Sequence, residues 1–197
     1  GEEYTFRIDK ASGTIDPALA SGPEMARVRE LMYWNMDNTA RTEWANLVTS
    51  RTKSQQAQLA RYAFDQHWWD LSVQATIAGK LWDQLEERFP LAYNDLFARY
   101  VSGKDIPQSY AMAIARQESA WNPKVRSPVG ASGLMQIMPG TATHTVSMFS
   151  IPGYSGPSQL LDPETNINIG TSYLQYVYQQ FGNNRIYASA AYNAGPG

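Results

Sequence analysis

Apolar residues in the first half of the chain recur at the spacing of short helices. Met25, Val28, Leu31 and Met32 follow Pro23 at intervals of three and four residues, and later groups repeat the pattern. Residues at this spacing share one face of a helix, so each group predicts a helix with one buried side. The later groups are Trp44, Leu47 and Val48 after Thr39; Leu59, Ala63 and Phe64 after Ser54; and Val73, Ile77, Leu81, Trp82 and Leu85. The pattern predicts a small helical bundle over residues 23–89, with no visible chemistry of its own.

The segment before this bundle lacks a helical period. Residues 4–8 alternate briefly between polar and apolar types, and Gly, Pro and Ser then interrupt the chain up to residue 22. Such punctuation is typical of irregular structure. Residues 1–22 are therefore predicted to be an irregular connector.

A second helical body begins at Leu91, and Pro107 suits the first turn of a helix predicted over 107–121. Glu118 lies at the edge of the apolar stripe of this helix, one turn after Ile114, whereas Arg116 points to the other side. The stripe consists of Tyr110, Ala113, Ile114, Gln117 and Trp121. The carboxyl group of Glu118 is therefore expected to face the interior or a cleft wall.

The elements after Glu118 are predicted from punctuating residues. Residues 127–133 are too rich in small residues for a helix, and 134–138 are predicted to form a short strand before a helix that starts at Pro139. Asp162 caps a further helix, with Pro163 in its first turn and Glu164 favourable to the helix dipole. The buried face of this helix, expected to be the spine of the domain, contains Ile167, Gly170, Leu174, Val177 and Phe181. Gly182 is predicted to stop this helix by its residue type, and residues 186–193 follow as an Ala-rich segment.

Composition narrows the classes of function. The 197 residues include 43% hydrophobic residues, which is enough for a real core, and the net charge of -2 provides no basic field for nucleic acid. The absence of Cys excludes disulfides, thiolate metal sites and a cysteine nucleophile. No apolar run approaches the length of a membrane span. The chain starts without Met and ends in a turn-type sequence, so we expect it to be a processed or cut fragment.

Glu118 is the candidate for chemistry. His67 and His144 lie far in sequence from other metal ligands, so no metal site is expected, and no Gly-x-Ser-x-Gly motif is present. Three of the four acidic residues after residue 99 have structural explanations: Asp105 as a cap beside Pro107, and Asp162 and Glu164 at a helix start. Glu118 has none. It is either a buried acid satisfied by a local partner or a proton donor whose pKa is raised by apolar surroundings.

Three motifs in order resemble those of one family. They are Arg-Gln-Glu-Ser-Ala-Trp-Asn-Pro at 116–123, Gly-Leu-Met-Gln-Ile-Met-Pro at 133–139 and Ala-Tyr-Asn-Ala-Gly at 191–195. Together they resemble the lytic transglycosylases with a goose-type lysozyme-like catalytic domain, in particular the soluble murein enzymes of Gram-negative bacteria. The resemblance is specific over 90–197, and looser over 23–89, which it matches to the helical linker domain of those enzymes.

The resemblance implies a mainly α fold. A small helical linker bundle would precede a lysozyme-like, helix-dominated α+β catalytic domain. The family's catalytic domain continues beyond the third motif, so this domain is expected to be truncated at its C-terminus. Residues 1–22 are a possible remnant of the upstream helical superhelix of the family.

The resemblance also assigns roles to residues. Glu118 becomes the catalytic acid/base, and Tyr192 is expected near its carboxyl group. The residues expected along the sugar-binding groove are Ser127, Gln136, Met138, Tyr192 and Asn193. Alternative roles exist for three of them: Met138 as core, Asn193 as a helix C-cap, and Ser127 as merely the residue before Pro128.

The activity that the resemblance implies is cleavage of the β-1,4 bond between N-acetylmuramic acid and N-acetylglucosamine in peptidoglycan. The product would carry a 1,6-anhydro-N-acetylmuramic acid end, formed without water and without a cofactor or metal. Peptidoglycan glycan strands are the expected partner, with no nucleic acid and no membrane span, and the substrate implies a periplasmic location. The alternatives are a lysozyme-type hydrolase of the same bond and a non-catalytic peptidoglycan-binding or scaffold fragment.

Overall fold

A computed structural model describes residues 14–195, which are mainly helical. The predicted helix-dominated fold is confirmed. The alternation at residues 4–8 lies outside the described residues. The chain divides into two compact units, Gly1–Pro90 and Leu91–Gly197. The domain bounds 1–22, 23–89 and 90–197 stay a prediction.

The described part of the first unit is a bundle of short helices. Thr52 begins one of them with a capping box, in which its hydroxyl oxygen accepts from the Gln55 N–H at 3.3 Å and the Gln55 side chain accepts from the Thr52 N–H at 3.1 Å. Trp44 is fully buried and donates from Nε1 to the Leu71 carbonyl at 2.9 Å. The helices are α1 (Pro17–Ala20), α2 (Pro23–Tyr33), α3 (Asp37–Thr49), α4 (Lys53–Asp65), α5 (Trp69–Ala78) and α6 (Leu85–Arg88).

The described part of the second unit is organised around one long helix. Its elements are α7 (Asn94–Val101), α8 (Gln108–Ser119), α9 (Pro139–Phe149), a 3₁₀ helix (Pro157–Leu161), α10 (Pro163–Gln180) and α11 (Arg185–Ala194). Helix α10 packs against α7, α9 and α11, and its residues Ile167 and Leu174 are fully buried. Asp162 caps it by accepting from the Thr165 N–H at 2.9 Å, as predicted. Phe181 was wrongly placed on the buried face: it is 45% exposed, because the helix has ended at Gln180.

The predicted strand over 134–138 is wrong. Residues 133–136 form a turn, and Ser132 and Ile137 on either side of it exchange two backbone hydrogen bonds of 3.1 Å. Gly133 and Gln136 have φ values of +78° and +49°, which reverse the chain and are incompatible with an extended strand. A short apolar run is ambiguous by periodicity alone, and this one is buried as a turn.

No helix between residues 14 and 195 combines the length and the apolar character that crossing a membrane requires.

Candidate active site

Glu118 lies in the last turn of α8, at a rigid helix end. The helix stops because Ala120 and Trp121 both adopt positive φ, at +47° and +67°. Trp121 is 2% exposed and packs on Tyr93 and Phe97, with ring centroids 6.1 and 5.9 Å away. This aromatic anchor fixes the backbone three residues after Glu118.

The buried face of α8 differs from the predicted stripe. Ala113 and Gln117 are exposed, whereas Ala111 and Ala115 are fully buried. Tyr110, which the predicted stripe included, is buried and faces α11, where its hydroxyl lies 2.8 Å from Ser189 Oγ and donates to the Arg185 carbonyl at 3.2 Å. The predicted stripe is therefore wrong at 113 and 117.

The Glu118 carboxyl is partly buried, and burial raises its pKa above the ordinary value. Among residues 14–195 it has no ion-pair or hydrogen-bond partner. A raised pKa keeps a larger fraction of a carboxyl group protonated toward neutral pH. Of the two readings offered by the sequence, the local geometry favours the proton donor over the satisfied structural acid.

The other acidic residues after residue 99 have partners within the described structure. The predicted capping role of Asp105 is wrong: Pro107 is the N-cap residue, and the Asp105 carboxylate accepts from Gln175 and Gln179 on α10, each at 3.1 Å. Glu164 accepts from Arg99 at 3.0 Å and from the Tyr100 hydroxyl at 2.7 Å. Asp162 caps α10.

Ser127 and Gln136 both hydrogen-bond to backbone in the segment between α8 and α9. The Ser127 hydroxyl oxygen accepts from the Ala131 N–H at 3.0 Å and so closes the turn over 127–131. Gln136 Nε2 donates to the Gly133 carbonyl at 2.9 Å and to the Val125 carbonyl at 3.2 Å. Both side chains are partly exposed. Each side chain therefore stabilises the loop and remains partly accessible to solvent.

Tyr192 of α11 is hydrogen-bonded to this loop. Its side chain is only 6% exposed, and its hydroxyl donates to the Met135 carbonyl at 2.5 Å. Burial raises the pKa of Tyr192 well above its ordinary value, and the charge of Glu118 raises it further. The two side chains therefore interact electrostatically.

The structure also places the remaining sequence candidates. Met138 is partly buried and is the N-cap residue of α9, and Asn193 is exposed on α11. The C-cap of α11 is Gly195, so the alternative role of Asn193 as a C-cap is wrong. No hydrogen bond or ring contact among the described residues joins Met138 or Asn193 to Glu118.

One buried polar residue that holds this loop was missed by the sequence analysis. Asn166 of α10 is fully buried, and its side chain makes three hydrogen bonds to the loop regions around it. A signal was present, because Asn166, Gly170 and Leu174 recur every four residues on one face of the helix. An amide on an apolar stripe indicates an internal hydrogen-bond partner.

Two cavities in the second unit have no contribution from Glu118 to their lining. One, of about 210 Å³, is lined by Tyr100, Glu164 and Asn168 among others, and the other, of about 480 Å³, by Thr143 and Val146 among others. Tyr154 borders both. The candidate site is therefore assigned by the chemistry of its side chains and not from either of these cavities.

Neither histidine belongs to a metal-binding group in the described structure. The ring of His67 stacks on Trp69 at 4.7 Å, and that of His144 meets Tyr176 edge-on at 6.5 Å. Across residues 14–195 no group of three or more His, Cys, Asp or Glu side chains is arranged to hold a metal ion.

Known proteins resemble this chain along its whole length. Residues 95–197 match the model of the transglycosylase SLT domain, and residues 18–85 match that of the soluble lytic murein transglycosylase L domain. The soluble lytic murein transglycosylase of Salmonella typhimurium is 86% identical over 197 residues, which are 100% of this chain and 30% of that protein. The chain thus spans about a third of the length of this curated relative.

Two solved structures are similar in fold as well as in sequence. The 70 kDa soluble lytic transglycosylase from Escherichia coli is 85% identical with a TM-score of 0.93, covering 99% of this chain and 32% of that one. An inactive mutant of the lytic transglycosylase Slt from Pseudomonas aeruginosa, in which Glu is replaced by Gln, is 37% identical with a TM-score of 0.81. That match covers 93% of this chain and 30% of the other.

Proposed function

We propose a function from one premise: this chain belongs to the transglycosylase SLT family, and it carries the SLT domain together with the L domain of the soluble lytic murein enzymes. The proposed reaction is cleavage of the β-1,4 bond between N-acetylmuramic acid and N-acetylglucosamine in peptidoglycan, leaving a 1,6-anhydro-N-acetylmuramic acid end. Because the chain spans about 30% of its Salmonella relative, the activity is proposed for the full-length gene product that contains this sequence.

The observation that carries the proposal is the state of the Glu118 carboxyl. It is partly buried, unpaired among the described residues, and burial raises its pKa. In the first step the protonated Glu118 donates its proton to the glycosidic oxygen, and the bond from that oxygen to C1 of the muramic acid breaks. The leaving sugar departs as an alcohol, and Glu118 is left as a carboxylate.

In the second step the same carboxylate acts as a base. It accepts the proton of the C6 hydroxyl while that oxygen attacks C1 of the same sugar, which closes the 1,6-anhydro ring and restores the acid. Ordinary glycosidases use two carboxylates. One suffices here because the nucleophile is tethered to the reacting carbon, and intramolecular attack has a large proximity advantage.

The surroundings of Glu118 support a single-carboxylate mechanism. Asp105, Asp162 and Glu164, the other acids after residue 99, are engaged in hydrogen bonds within the described structure. Tyr192, whose pKa is raised well above its ordinary value, stays a neutral phenol near the carboxyl. The phenol therefore adds no negative charge beside the Glu118 carboxyl.

We propose that the glycan strand lies along the surface that carries the remaining candidates. Gln136 and Ser127 keep partly exposed polar groups, and Asn193 is exposed on the helix that carries Tyr192. The proposed groove residues are Ser127, Gln136, Met138, Tyr192 and Asn193. The substrate implies a periplasmic location, with peptidoglycan as partner.

The decisive variant is Glu118→Gln, which keeps the shape of the side chain but cannot donate a proton. With purified peptidoglycan sacculi as substrate, we expect the rate to fall by about 10²- to 10⁴-fold, the usual contribution of a general acid. Glu164→Gln is the matched control, because it removes a carboxylate of the same unit that is held by Arg99 and Tyr100. It should retain activity.

Mass spectrometry of the digest separates the proposed reaction from hydrolysis. The anhydro product is lighter than the hydrolysis product by one water. A digest that contains only the heavier product would replace the transglycosylase by a lysozyme-type hydrolase. Unchanged lysis by Glu118→Gln would remove the assignment of Glu118 as the catalytic acid. Binding of sacculi without lysis by the unmodified protein would leave the glycan-binding alternative.

A further inference from the structure

We propose that Asn166 is a positioning residue for the reaction at Glu118, because it fixes the turn over 132–137 to which Tyr192 is bound. The inference rests on the proposed function and deepens it by adding a residue that touches neither the acid nor the substrate.

The Asn166 side chain ties α10 to the backbone of the turn. Its Nδ2 donates to the Ser132 carbonyl and to the Leu160 carbonyl, each at 2.8 Å, and its Oδ1 accepts from the Met135 N–H at 2.7 Å. Asn166 is 0% exposed. Two of these buried hydrogen bonds hold the turn, at Ser132 and at Met135, and the third holds Leu160 of the 3₁₀ helix beside it. Water has no access to replace them.

Met135 is held from two sides by different helices. Asn166 of α10 binds its N–H, and Tyr192 of α11 donates to its carbonyl at 2.5 Å. Helix α11, which carries Tyr192, contacts α8, the helix of Glu118, where the Tyr110 hydroxyl lies 2.8 Å from Ser189 Oγ. The charge of Glu118 accordingly raises the pKa of Tyr192. The position of the phenol relative to the acid therefore depends on a residue of the turn that Asn166 holds.

Close packing against α10 restricts the position of the turn. A Cβ atom at Gly133 would lie 2.1 Å from the Leu160 carbonyl oxygen and 2.3 Å from Asn166 Nδ2. A Cβ atom at Gly170 would lie 2.4 Å from Met135 Sδ and 2.8 Å from Met135 Cβ. Glycine on both surfaces allows the turn and the helix to approach this closely.

Loss of the Asn166 amide should loosen the turn and expose the acid to water. The titratable groups that interact with Tyr192 are Glu118 and Tyr110 on α8 and Tyr173 on α10. With more water near Glu118, the burial that raises its pKa decreases, so the pKa falls toward the ordinary value. Because the first step requires the protonated acid, the high-pH limb of the activity profile should move to lower pH.

The test compares Asn166→Ala with Thr171→Val in the full-length gene product. Thr171 is also fully buried on α10, but its hydroxyl donates to carbonyls of its own helix, at 2.7 and 3.2 Å. We expect Asn166→Ala to lower kcat on sacculi by about 10- to 100-fold, as small displacements in an active site do, and to shift the high-pH limb. Thr171→Val should lower the unfolding temperature without moving either quantity.

A second variant applies if Asn166→Ala does not fold. Gly170→Ala keeps the Asn166 amide and favours the helix, but its new Cβ atom displaces Met135. It should lower kcat and shift the high-pH limb in the same direction.

The outcomes separate this inference from the proposed function. If Asn166→Ala folds and leaves both kcat and the high-pH limb of the activity profile unchanged, the positioning role is overturned. If only Gly170→Ala folds, the same result for that variant overturns it. If Glu118→Gln is inactive while these variants are fully active, only this inference is lost. If Glu118→Gln is as active as the unmodified protein, the proposed catalytic role of Glu118 is itself wrong.

Discussion

At the scale of single residues, Glu118 and Tyr192 form the proposed chemical centre of the second unit. Burial raises the pKa of both, which favours the protonated form of each group. The tyrosine hydroxyl donates to the Met135 carbonyl and so orders the loop. In the proposed mechanism Glu118 is the group that donates a proton to the substrate. The Tyr192 phenol is therefore expected to stabilise the loop and not to act as a proton donor in the reaction.

Tyr192→Phe tests this division of roles. The substitution removes the donor to the buried Met135 carbonyl, and an unsatisfied buried acceptor should cost about 1–2 kcal/mol in the free energy of unfolding. Urea unfolding and kcat on sacculi measure the two effects, and both should decrease. Tyr110→Phe is the matched control, because it removes another buried phenol oxygen, one bonded to Ser189 and Arg185. Equal activity of the two variants would contradict the assigned role of Tyr192.

At the scale of elements, the turn between Ser132 and Ile137 is the part of the site with the strictest backbone demands. It reverses the chain through positive φ at Gly133 and Gln136 and packs Gly133 against the Leu160 carbonyl. Positive φ is strained for residues with a Cβ atom, and here there is also no space for one. The turn thus depends on glycine for two independent reasons.

Gly133→Ala should separate these reasons when it is compared with Gly130→Ala. Gly130 also has positive φ, at +97°, but a Cβ atom there would meet nothing within 4 Å. We expect Gly130→Ala to cost about 1–2 kcal/mol from backbone strain alone. Gly133→Ala should cost about 2–5 kcal/mol, since overpacking adds to the strain. Urea unfolding measures both, and equal costs would mean that the space around Gly133 readily adapts.

At the scale of the whole molecule, the buried carboxyl group of Asp70 is expected to make the stability of the first unit depend on pH. Asp70 is 4% exposed, and Arg41 approaches its carboxylate at 3.4 Å. Burial raises the pKa of Asp70 to about 6, and the charge of Asp37 also raises it, although Arg41 opposes both effects. Asp70 is therefore more easily protonated in the folded chain than in the unfolded one.

The sign of the resulting pH dependence follows from this shift. A folded pKa above the unfolded value adds stability that is fully present below about pH 4 and is lost as pH rises through about 6. The full difference corresponds to about 3 kcal/mol. Asp70→Asn should remove this loss, so the stability of the first unit should change less between pH 4 and pH 7. Urea unfolding across that range measures it.

The control for Asp70→Asn is Glu43→Gln, which removes an exposed charge paired with Arg27 on the same unit. It should leave most of the pH dependence in place. If Asp70→Asn and the unmodified chain lose equal stability between pH 4 and pH 7, the proposed contribution of Asp70 is absent.

The sequence by itself indicated most of the helices and singled out Glu118 as the candidate acid. Helix starts are local, so Pro23, Pro139 and the Asp162 cap marked α2, α9 and α10 without any knowledge of the fold. Periodicity marked the buried face of α10 because many of its positions are apolar. The motif around Glu118 is also local, because its residues are contiguous in the chain, and it could therefore be recognised without the fold.

Only the tertiary structure decided how the active-site loop is held. Asn166 binds Met135 across 31 residues and Tyr192 binds it across 57, and no local pattern encodes such pairs. The same limit explains the wrong strand at 134–138 and the wrong cap at Asp105, whose partners lie on α10, 70 residues away or more. Local propensity specifies which segments become helices, whereas the partners of buried polar groups are chosen when those helices pack.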